Sequence, residues 1–463
     1  MRTTRGNSTS SQLIDRRSFL RLAGGVGLAA AAAPAISSLA GQDAMALTRH
    51  GALNAATTST FKGTLHFNGW DFDPNEIKVL VREWSRTTHI PVSVTIVPNV
   101  TYTSVMETRL RGGEHYDVYY NFAHNSQTFY DAGWAVSLDG LPQLDTIIND
   151  MYPSSREHYM ASNGRVISVP YYSAVFMVNY NDNFVKRAGF SAPPQSLNEV
   201  YLQSKKMKSL GITDTPYVAY WIVGFCEEYV CQYLLSNGVT PFDHKGDPVF
   251  ADDPKSVDTF EWWQTMYREG LTPKSLLTDD PSQLATYVAK GTAAFLELHQ
   301  YFLTSIRSAN GPQSKYVYQV PSGGPHGTPL QIADVLQMGK IEDPAEKAAA
   351  WELMKFYGWK SPTGQFNTFV QWAKAAGLAA PYPAFFTDPA VKAAFPSYYD
   401  LPMLSDAFRR SNLVYARTLP WYEGYVTTCG TIVQEMLTGQ KTPKKTVAAL
   451  ASAAKKAKSG ITL

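Results

Sequence analysis

β-rich and helical segments alternate between residues 64 and 122, which leaves few folds open to the chain. A β-rich run at 64–68 precedes a run from Pro74 to about Thr88 in which apolar residues recur at helical spacing. A β-rich run at 90–97, a helical run at 105–110 and a third β-rich run at 117–122 follow. Such strand–helix–strand units predict a mainly parallel sheet flanked by helices, and hence an α/β fold.

The length and composition indicate two lobes of a folded, nearly neutral protein. A chain of 463 residues exceeds what a single compact core usually serves. Its content of 44% hydrophobic and 17% charged residues is typical of globular proteins. The net charge is only +2, and five arginines fall within residues 1–46. The rest of the chain therefore has no strong field for polyanions, and we expect no nucleic-acid partner.

Residues 1–46 have the features of a twin-arginine signal peptide, which we predict to be removed. The pair Arg16-Arg17 is followed by Phe19-Leu20 and then by a weakly apolar Ala/Gly run. The alternative, a transmembrane helix, is disfavoured because glycines and Pro34 interrupt that run. No cysteine follows it, so we expect no lipid anchor, and we predict a linker at 47–60 and a periplasmic or extracellular location.

The sequence offers little for catalysis, metals or cofactors. The adjacent acids Glu227-Glu228 point about 100° apart on a helix, so they cannot flank one glycosidic bond together. Neither a nucleophile elbow, nor a phosphate-binding loop, nor a His-x-x-x-His pair occurs. Of the three cysteines, Cys226 and Cys231 are placed too far apart on a probable helix for a disulfide. We expect buried thiols, no metal, no cofactor and no catalytic residue.

The stretch 165–211 contains a specific succession of signals. Its β-rich run 166–180 ends at an Asn-Asp-Asn turn (181–183), since short Asx side chains bond to their own backbone. Ser196, with Glu199 three residues later, predicts a capped helix that ends at a glycine.

This succession closely resembles the middle of the extracellular solute-binding proteins of ABC importers, the carbohydrate type (family 1) that contains the maltose-binding protein. The residues that carry the resemblance include Tyr180-Asn181, Ala188-Gly189 and Pro193-Pro194. In the family, the same stretch carries the chain across the hinge between two lobes. The resemblance extends over residues 61–463.

The resemblance implies a type II-like periplasmic-binding-protein fold with a multi-segment hinge. It places lobe one at 61–172 and 322–370, and lobe two at 176–318 and 375–463. It also implies a monomer that captures a small molecule, a mono- or oligosaccharide or a derivative, between the lobes. The captured solute would pass to the permease subunits of an ABC transporter.

Aromatic and polar residues follow the strands where such a cleft would lie. Sugar rings stack on aromatic side chains, and their hydroxyls need planar donors and acceptors. In open α/β sheets, ligands bind at the carboxyl ends of strands. We therefore predict that the first hinge crossing lies at 170–173 and that the ligand contacts Trp70, Asp71, Asn121, His124, Tyr171, Tyr172, Tyr220, Trp221, Glu297, His299, Tyr301, Asp334, Trp421 and Tyr425.

The resemblance to the maltose-binding protein adds position-specific expectations. Asp71 lies beside the place of a charged pair, while His124 and Asn121 take the places of an aspartate and a tryptophan. Tyr301 aligns with a stacking tryptophan, and Tyr425 falls where another should be. Retained positions with changed residues imply the same cleft and a different ligand.

Other interpretations stay open at this stage. Each aromatic residue could instead pack in the core, and the acids Asp71, Glu297 and Asp334 could serve in caps or surface ion pairs. The solute could be a polyamine or glycerol-3-phosphate, although few arginines fall near the predicted cleft. A secreted carbohydrate-active enzyme is a further alternative.

Overall fold

The structure is a computed structural model that describes residues 60–361 and 363–460. They belong to the larger of two compact units, Leu53–Leu463. The predicted twin-arginine signal peptide (1–46) and nearly all of the predicted linker (47–60) lie outside the described residues. Within the described ranges, none of the helices combines the length and the apolar composition that a membrane crossing needs.

Eight strands form a connected sheet among the described residues. Their order across the sheet is β2-β1-β3-β8-β4-β6-β5, and β7 also pairs with β4. The strands are β1 (Leu65–Trp70), β2 (Val92–Val97), β3 (Val118–Phe122), β4 (Val169–Asn181), β5 (Tyr217–Ala219), β6 (Phe295–His299), β7 (Val317–Pro321) and β8 (Gln331–Met338).

The long strand β4 belongs to two parts of this sheet. Its residues 169–175 pair with β8, whereas residues 176–181 pair with β6 on one side and β7 on the other. A register shift between Pro170 and Tyr172 marks a β-bulge in its first part. We call β1, β2, β3, β8 and residues 169–175 the first half-sheet, and β5, β6, β7 and residues 176–181 the second half-sheet.

The α/β prediction is confirmed, and the strand directions refine it. β1 runs parallel to β2 and β3, and β5 runs parallel to β6, as the strand–helix–strand pattern predicts. The pairings of β8 with β3 and β4, and of β4 with β6 and β7, are antiparallel. β4 runs through both half-sheets, whereas β8 pairs only with β3 and with the first part of β4.

Helices cover the sheet, and the described residues contain seventeen of them. They are α1 (Pro74–Thr88), α2 (Tyr102–Arg111), α3 (Ala123–Asp131), α4 (Leu144–Asn149), α5 (Asp182–Arg187), α6 (Leu197–Ser209), α7 (Cys226–Ser236), α8 (Lys255–Arg268), α9 (Pro281–Lys290), α10 (Phe302–Ser308), α11 (Pro344–Gly358), α12 (Asn367–Ala376), α13 (Pro383–Thr387), α14 (Pro389–Ala394), α15 (Leu401–Arg410), α16 (Tyr422–Leu437) and α17 (Pro443–Lys458). Short 3₁₀ helices lie at Asn99–Thr101, Pro153–Tyr159, Val249–Asp252, Lys274–Leu277, Ser314–Tyr316 and Tyr415–Thr418.

Helix starts follow the cap residues in the sequence. At the start of α6 the side chain of Ser196 accepts a hydrogen bond from the Glu199 amide, as predicted. The Glu199 carboxylate bonds to the Gln195 amide, one residue earlier than a capping box requires. α7 begins at Cys226, and no side-chain hydrogen bond caps its start.

All three cysteines are buried free thiols, as predicted from their spacing. Cys226 and Cys231 lie on α7, and Cys429 lies on α16. Burial raises the pKa of each thiol, so the neutral form is favoured. These side chains serve as small apolar residues of the core.

Candidate functional site

Four predicted site residues come together where the two half-sheets meet. Tyr172 of β4 lies opposite Asp334 of β8 in the strand register. His299 ends β6, and Tyr301 follows it at the start of α10. Two residues that sequence analysis did not assign to the site, Glu228 of α7 and Arg417, complete a connected set. We call this set the junction cluster: Tyr172, Glu228, His299, Tyr301, Asp334 and Arg417.

Hydrogen bonds link one side of the junction cluster. Nε2 of His299 lies 3.2 Å from Oε2 of Glu228, and Nδ1 lies 3.2 Å from the hydroxyl of Tyr301. Because a carboxylate only accepts hydrogen bonds, Nε2 of His299 donates to Glu228. Nδ1 forms the second hydrogen bond, with the Tyr301 hydroxyl. The orientation of Tyr301 is therefore set through His299 by a buried carboxylate.

Arg417 anchors this side of the cluster. Its Nη2 lies 3.0 Å from Oε1 of Glu228, and its Nε lies 3.0 Å from Oε1 of Glu227. All three side chains are buried. The two acids diverge on α7, but the broad guanidinium fork reaches both. One arginine thus serves two buried carboxylates, whose combined negative charge exceeds its own, so it offers no excess positive charge to a further anion.

Tyr172 links the other side of the cluster. It faces Asp334 in the strand register, and its hydroxyl acts to lower the pKa of both Asp334 and Tyr301. The rings of Tyr172 and Tyr301 meet edge to face, with centroids 5.8 Å apart. Asp334 is only 7% exposed. The cluster thus combines two aromatic walls with a buried carboxyl group.

The two carboxyl groups of the cluster have opposite electrostatic surroundings. Burial alone would raise the pKa of Glu228, but the hydrogen bond with His299 and the charges of His299 and Arg417 lower this pKa to about 2. Burial raises the pKa of Asp334 to about 7, although the Tyr172 hydroxyl acts in the other direction. Glu228 is therefore ionised at neutral pH, whereas Asp334 is poised between its two forms.

The pKa of Asp334 predicts a pH-dependent contribution to stability. Because the pKa in the folded state lies above the unfolded value, Asp334 destabilises the fold increasingly as the pH rises from about 4 to about 7. We expect Asp334→Asn to be more stable than the wild type at pH 8, and the difference to shrink towards pH 5. Urea unfolding at several pH values measures this. A difference that does not change with pH would contradict the prediction.

Two further contacts lie beside the junction cluster and join residues that are distant in sequence. Phe72, which is 38% exposed, contacts the ring of Tyr301 at 6.3 Å and stacks on Trp372 of α12 at 6.2 Å. Nε2 of His124, on α3, lies 3.4 Å from Oε2 of Glu423, at the start of α16. His124 was a predicted site residue, whereas Phe72, Trp372 and Glu423 were not.

Trp70 and Tyr171, both predicted to line the site, lie in the aromatic core of the first half-sheet. Trp70 is 2% exposed, and its ring stacks on Phe122 at 4.9 Å. Tyr171 stacks on Tyr120 at 4.0 Å. Packing of large rings on both residues leaves neither with a free face. Trp70 packs against Tyr171, and Tyr171 packs against Tyr172 of the junction cluster.

Asp71 and Asn121 use their polar atoms within the protein. The exposed carboxylate of Asp71 accepts a hydrogen bond from the Asn99 amide at 2.8 Å. Nδ2 of the buried Asn121 donates to Gln337 at 2.8 Å, and its Oδ1 accepts from the Phe122 amide. Asp71 thus orders the turn after β2, and Asn121 ties β3 to β8.

Trp221 and Glu297 lie in the core of the second half-sheet. Glu297 accepts a hydrogen bond from the Tyr217 hydroxyl at 2.7 Å, and burial raises its pKa to about 7. Nε1 of Trp221 donates to Tyr233 at 3.0 Å, and Tyr233 in turn bonds with Tyr217. These groups form a buried network of their own.

The other predicted aromatic residues pack against different neighbours. Tyr220 is half-buried and packs against Phe225 at 4.5 Å. Trp421 and the buried Tyr425 both contact Phe242, at 6.1 Å. Within the described ranges, the rings of Trp421 and Tyr425 contact no ring of the junction cluster.

Sequence reasoning missed Phe72, Glu228, Arg417 and Trp372 for different reasons. Phe72 lies two residues after Trp70, the last residue of β1, and its position just beyond a strand end could have identified it as a candidate. Glu228 was set aside because it diverges from Glu227. Arg417 and Trp372 carry no local signal, since only the fold brings them to the other residues.

Comparisons with known proteins agree with this architecture. A family model described as bacterial extracellular solute-binding protein matches residues 80–396, more than half of the chain.

Many solved structures are also similar. Maltose-bound MalE3 of T. maritima is 19% identical, with a TM-score of 0.70 over 85% of this chain and 99% of that chain. A solute-binding protein from Agrobacterium radiobacter in complex with ribitol is 20% identical, with a TM-score of 0.70 over 86% and 99%. One from Thermotoga lettingae bound with α-D-tagatose is 15% identical, with a TM-score of 0.72 over 85% and 99%. At these identities the likeness shows a shared fold, and it confirms the predicted periplasmic-binding-protein architecture.

Proposed function

Because the chain belongs to the bacterial extracellular solute-binding family, we propose that it is the substrate-binding component of an ABC importer and captures a carbohydrate. The observation that carries this proposal is the junction cluster. It places two tyrosine rings, a histidine and a carboxyl group where two half-sheets meet. Aromatic faces suit the C–H patches of a sugar ring, and the polar groups suit its hydroxyls.

The proposed ligand contacts include five residues that the sequence also predicts: Tyr172, His299, Tyr301, Asp334 and His124. Phe72 is added to them from the structure. The similar proteins named above were solved with maltose, ribitol and α-D-tagatose. These ligands share many adjacent hydroxyls and no charge, which supports a sugar or polyol as the ligand of this chain.

The proposed division into lobes follows the predicted boundaries, 61–172 with 322–370 and 176–318 with 375–463. Its support is that β4 changes partners between Val175 and Phe176. In this division the His124–Glu423 and Phe72–Tyr301 contacts connect one lobe to the other. A ligand held by both lobes stabilises the closed state, because only there does it contact both surfaces.

Export, partners and assembly form part of the same proposal. The family is described as extracellular, which supports a periplasmic or extracellular location. In this proposal the twin-arginine signal in residues 1–46 directs export. The protein acts as a monomer and delivers its solute to a permease pair of the importer. Membership of the carbohydrate type (family 1) and the absence of catalysis belong to the proposal as well.

A ligand screen tests the proposal directly. We expect calorimetry or thermal shift to detect binding of at least one neutral or amino sugar, oligosaccharide or polyol. Separate arms contain putrescine, spermidine and glycerol-3-phosphate. Binding in those arms alone would show that the solute is not a carbohydrate. Cleavage of an oligosaccharide during incubation would favour the enzyme alternative.

Replacement of Tyr301 tests the site once a ligand is known. We expect Tyr301→Ala to weaken binding at least about tenfold, because the ring forms a wall of the site and its hydroxyl bonds with His299. The matched control is Tyr316→Ala, which removes a tyrosine that is 37% exposed at the surface. Equal affinities of the two variants would place the ligand elsewhere.

A further inference from the structure

The charges of the junction cluster restrict the kind of solute that it can accept. Arg417 directs its donors to Glu227 and Glu228, so its charge is already balanced within the protein. Asp334 faces Tyr172 across the strand pair, and no ion pair involves it within residues 60–361 and 363–460. The site thus holds a buried carboxyl group without a cation of its own.

A chain of aromatic rings begins beside Asp334. Tyr172 faces Asp334 in the strand register, Tyr301 meets the ring of Tyr172 at 5.8 Å, and Phe72 lies 6.3 Å from Tyr301. Aromatic faces attract cations, and a desolvated carboxylate gains most from a cation that enters with it. An anionic group would meet no free cation here and would be repelled by Glu228.

We infer that the solute carries an ammonium group, as an amino sugar does, and that this group pairs with Asp334. This inference rests on the proposed function and specifies the substrate class of the same site. The hydroxyls of the solute would bond to Tyr301 and His299, while the ammonium group would donate to the Asp334 carboxylate.

Proton exchange gives the inference a second readout. The titratable or charged groups that face Asp334 are Tyr159, Tyr171, Tyr172, Tyr301, Glu228 and Arg417. Burial raises the pKa of each of these tyrosines, and that of Glu228 is about 2, so none of them changes charge near pH 6. An ammonium group that binds at pH 6 should therefore displace the proton that Asp334 carries.

Matched ligands test the inference. Each set contains an amino sugar, its hydroxyl counterpart and its N-acetyl derivative: glucosamine, glucose and N-acetylglucosamine, with the galactose and mannose sets alongside. The chitosan disaccharide and cellobiose extend the comparison to a longer ligand. We expect the amine of at least one set to bind at least about tenfold more tightly than its neutral partners. Calorimetry in two buffers of different ionisation enthalpy should detect proton release at pH 6.

Asp334→Asn serves as the site variant, and Asp145→Asn, on the distant helix α4, is its control. We expect Asp334→Asn to lose the amine preference and the proton release, while the control keeps both. Proton exchange that persists in Asp334→Asn would belong to His299 and would overturn the pairing with Asp334.

The outcomes separate the two proposals. Equal binding of amine and neutral sugars overturns the ammonium inference and leaves carbohydrate capture standing. Binding of putrescine or spermidine without any sugar supports the ammonium group and overturns the carbohydrate. Failure of all these ligands to bind overturns both.

Discussion

Replacing Arg417 by methionine is expected to lower the free energy of unfolding by about 3–5 kcal/mol. The variant leaves the carboxylates of Glu227 and Glu228 buried without the cation that both now share. Water cannot replace the guanidinium, because all three residues are buried. Urea unfolding, monitored by two probes to check for a two-state transition, measures the loss.

Two further variants make this prediction specific. Arg165→Met removes an exposed ion pair with Asp139 and should cost less than about 1 kcal/mol. Glu227→Gln and Glu228→Gln, added together to Arg417→Met, should recover part of the stability, because neutral amides are cheaper to bury than unpaired charges. An Arg417→Met loss no larger than that of Arg165→Met would show that the buried pairs contribute little.

Trp70→Ala is expected to affect mainly stability and Phe72→Ala mainly ligand affinity, although the two residues are close in sequence. Trp70 is enclosed by rings of the first half-sheet, so its truncation should lower the free energy of unfolding by about 3–5 kcal/mol. Phe72 is partly exposed beside Tyr301 and should cost less than about 1 kcal/mol. We expect Phe72→Ala instead to weaken binding of the solute by at least about threefold.

The measurements are urea unfolding for stability and calorimetry for affinity, with both variants compared with the wild type. Trp70→Phe is the conservative control and should recover most of the stability, because a smaller ring still fills part of the space. If Trp70→Ala kept its stability but lost the ligand, Trp70 would face the solute, as the sequence alone had suggested.

Local sequence signals predicted the elements well. The bounds of α1 agree with the predicted helical run, because Pro at the first helical position and a capping side chain fix where the helix begins. The turn at Asn181 also follows the sequence, since this side chain caps α5. Such signals act over a few residues and need no knowledge of the rest of the chain.

The structure places the predicted site residues in different surroundings, and the sequence does not distinguish these surroundings. The local sequence around a tryptophan at a strand end does not indicate whether its side chain faces a ligand or the core. Trp70, Trp221 and Tyr171 are enclosed by rings from distant segments, whereas Phe72 emerges beside Tyr301. The sequence therefore does not rank the aromatic residues of the predicted site.

What the sequence determined by itself was the class of fold, the order of its elements and the stretches from which a binding site would be drawn. These depend on periodicity, caps and turns, which are properties of neighbouring residues. Only the tertiary structure decided that Glu228, His299 and Arg417 meet, and that Asp334 is buried beside Tyr172. Their positions in sequence are far apart, and the electrostatics of a carboxyl group depend on the charges and the solvent that folding brings to it or removes.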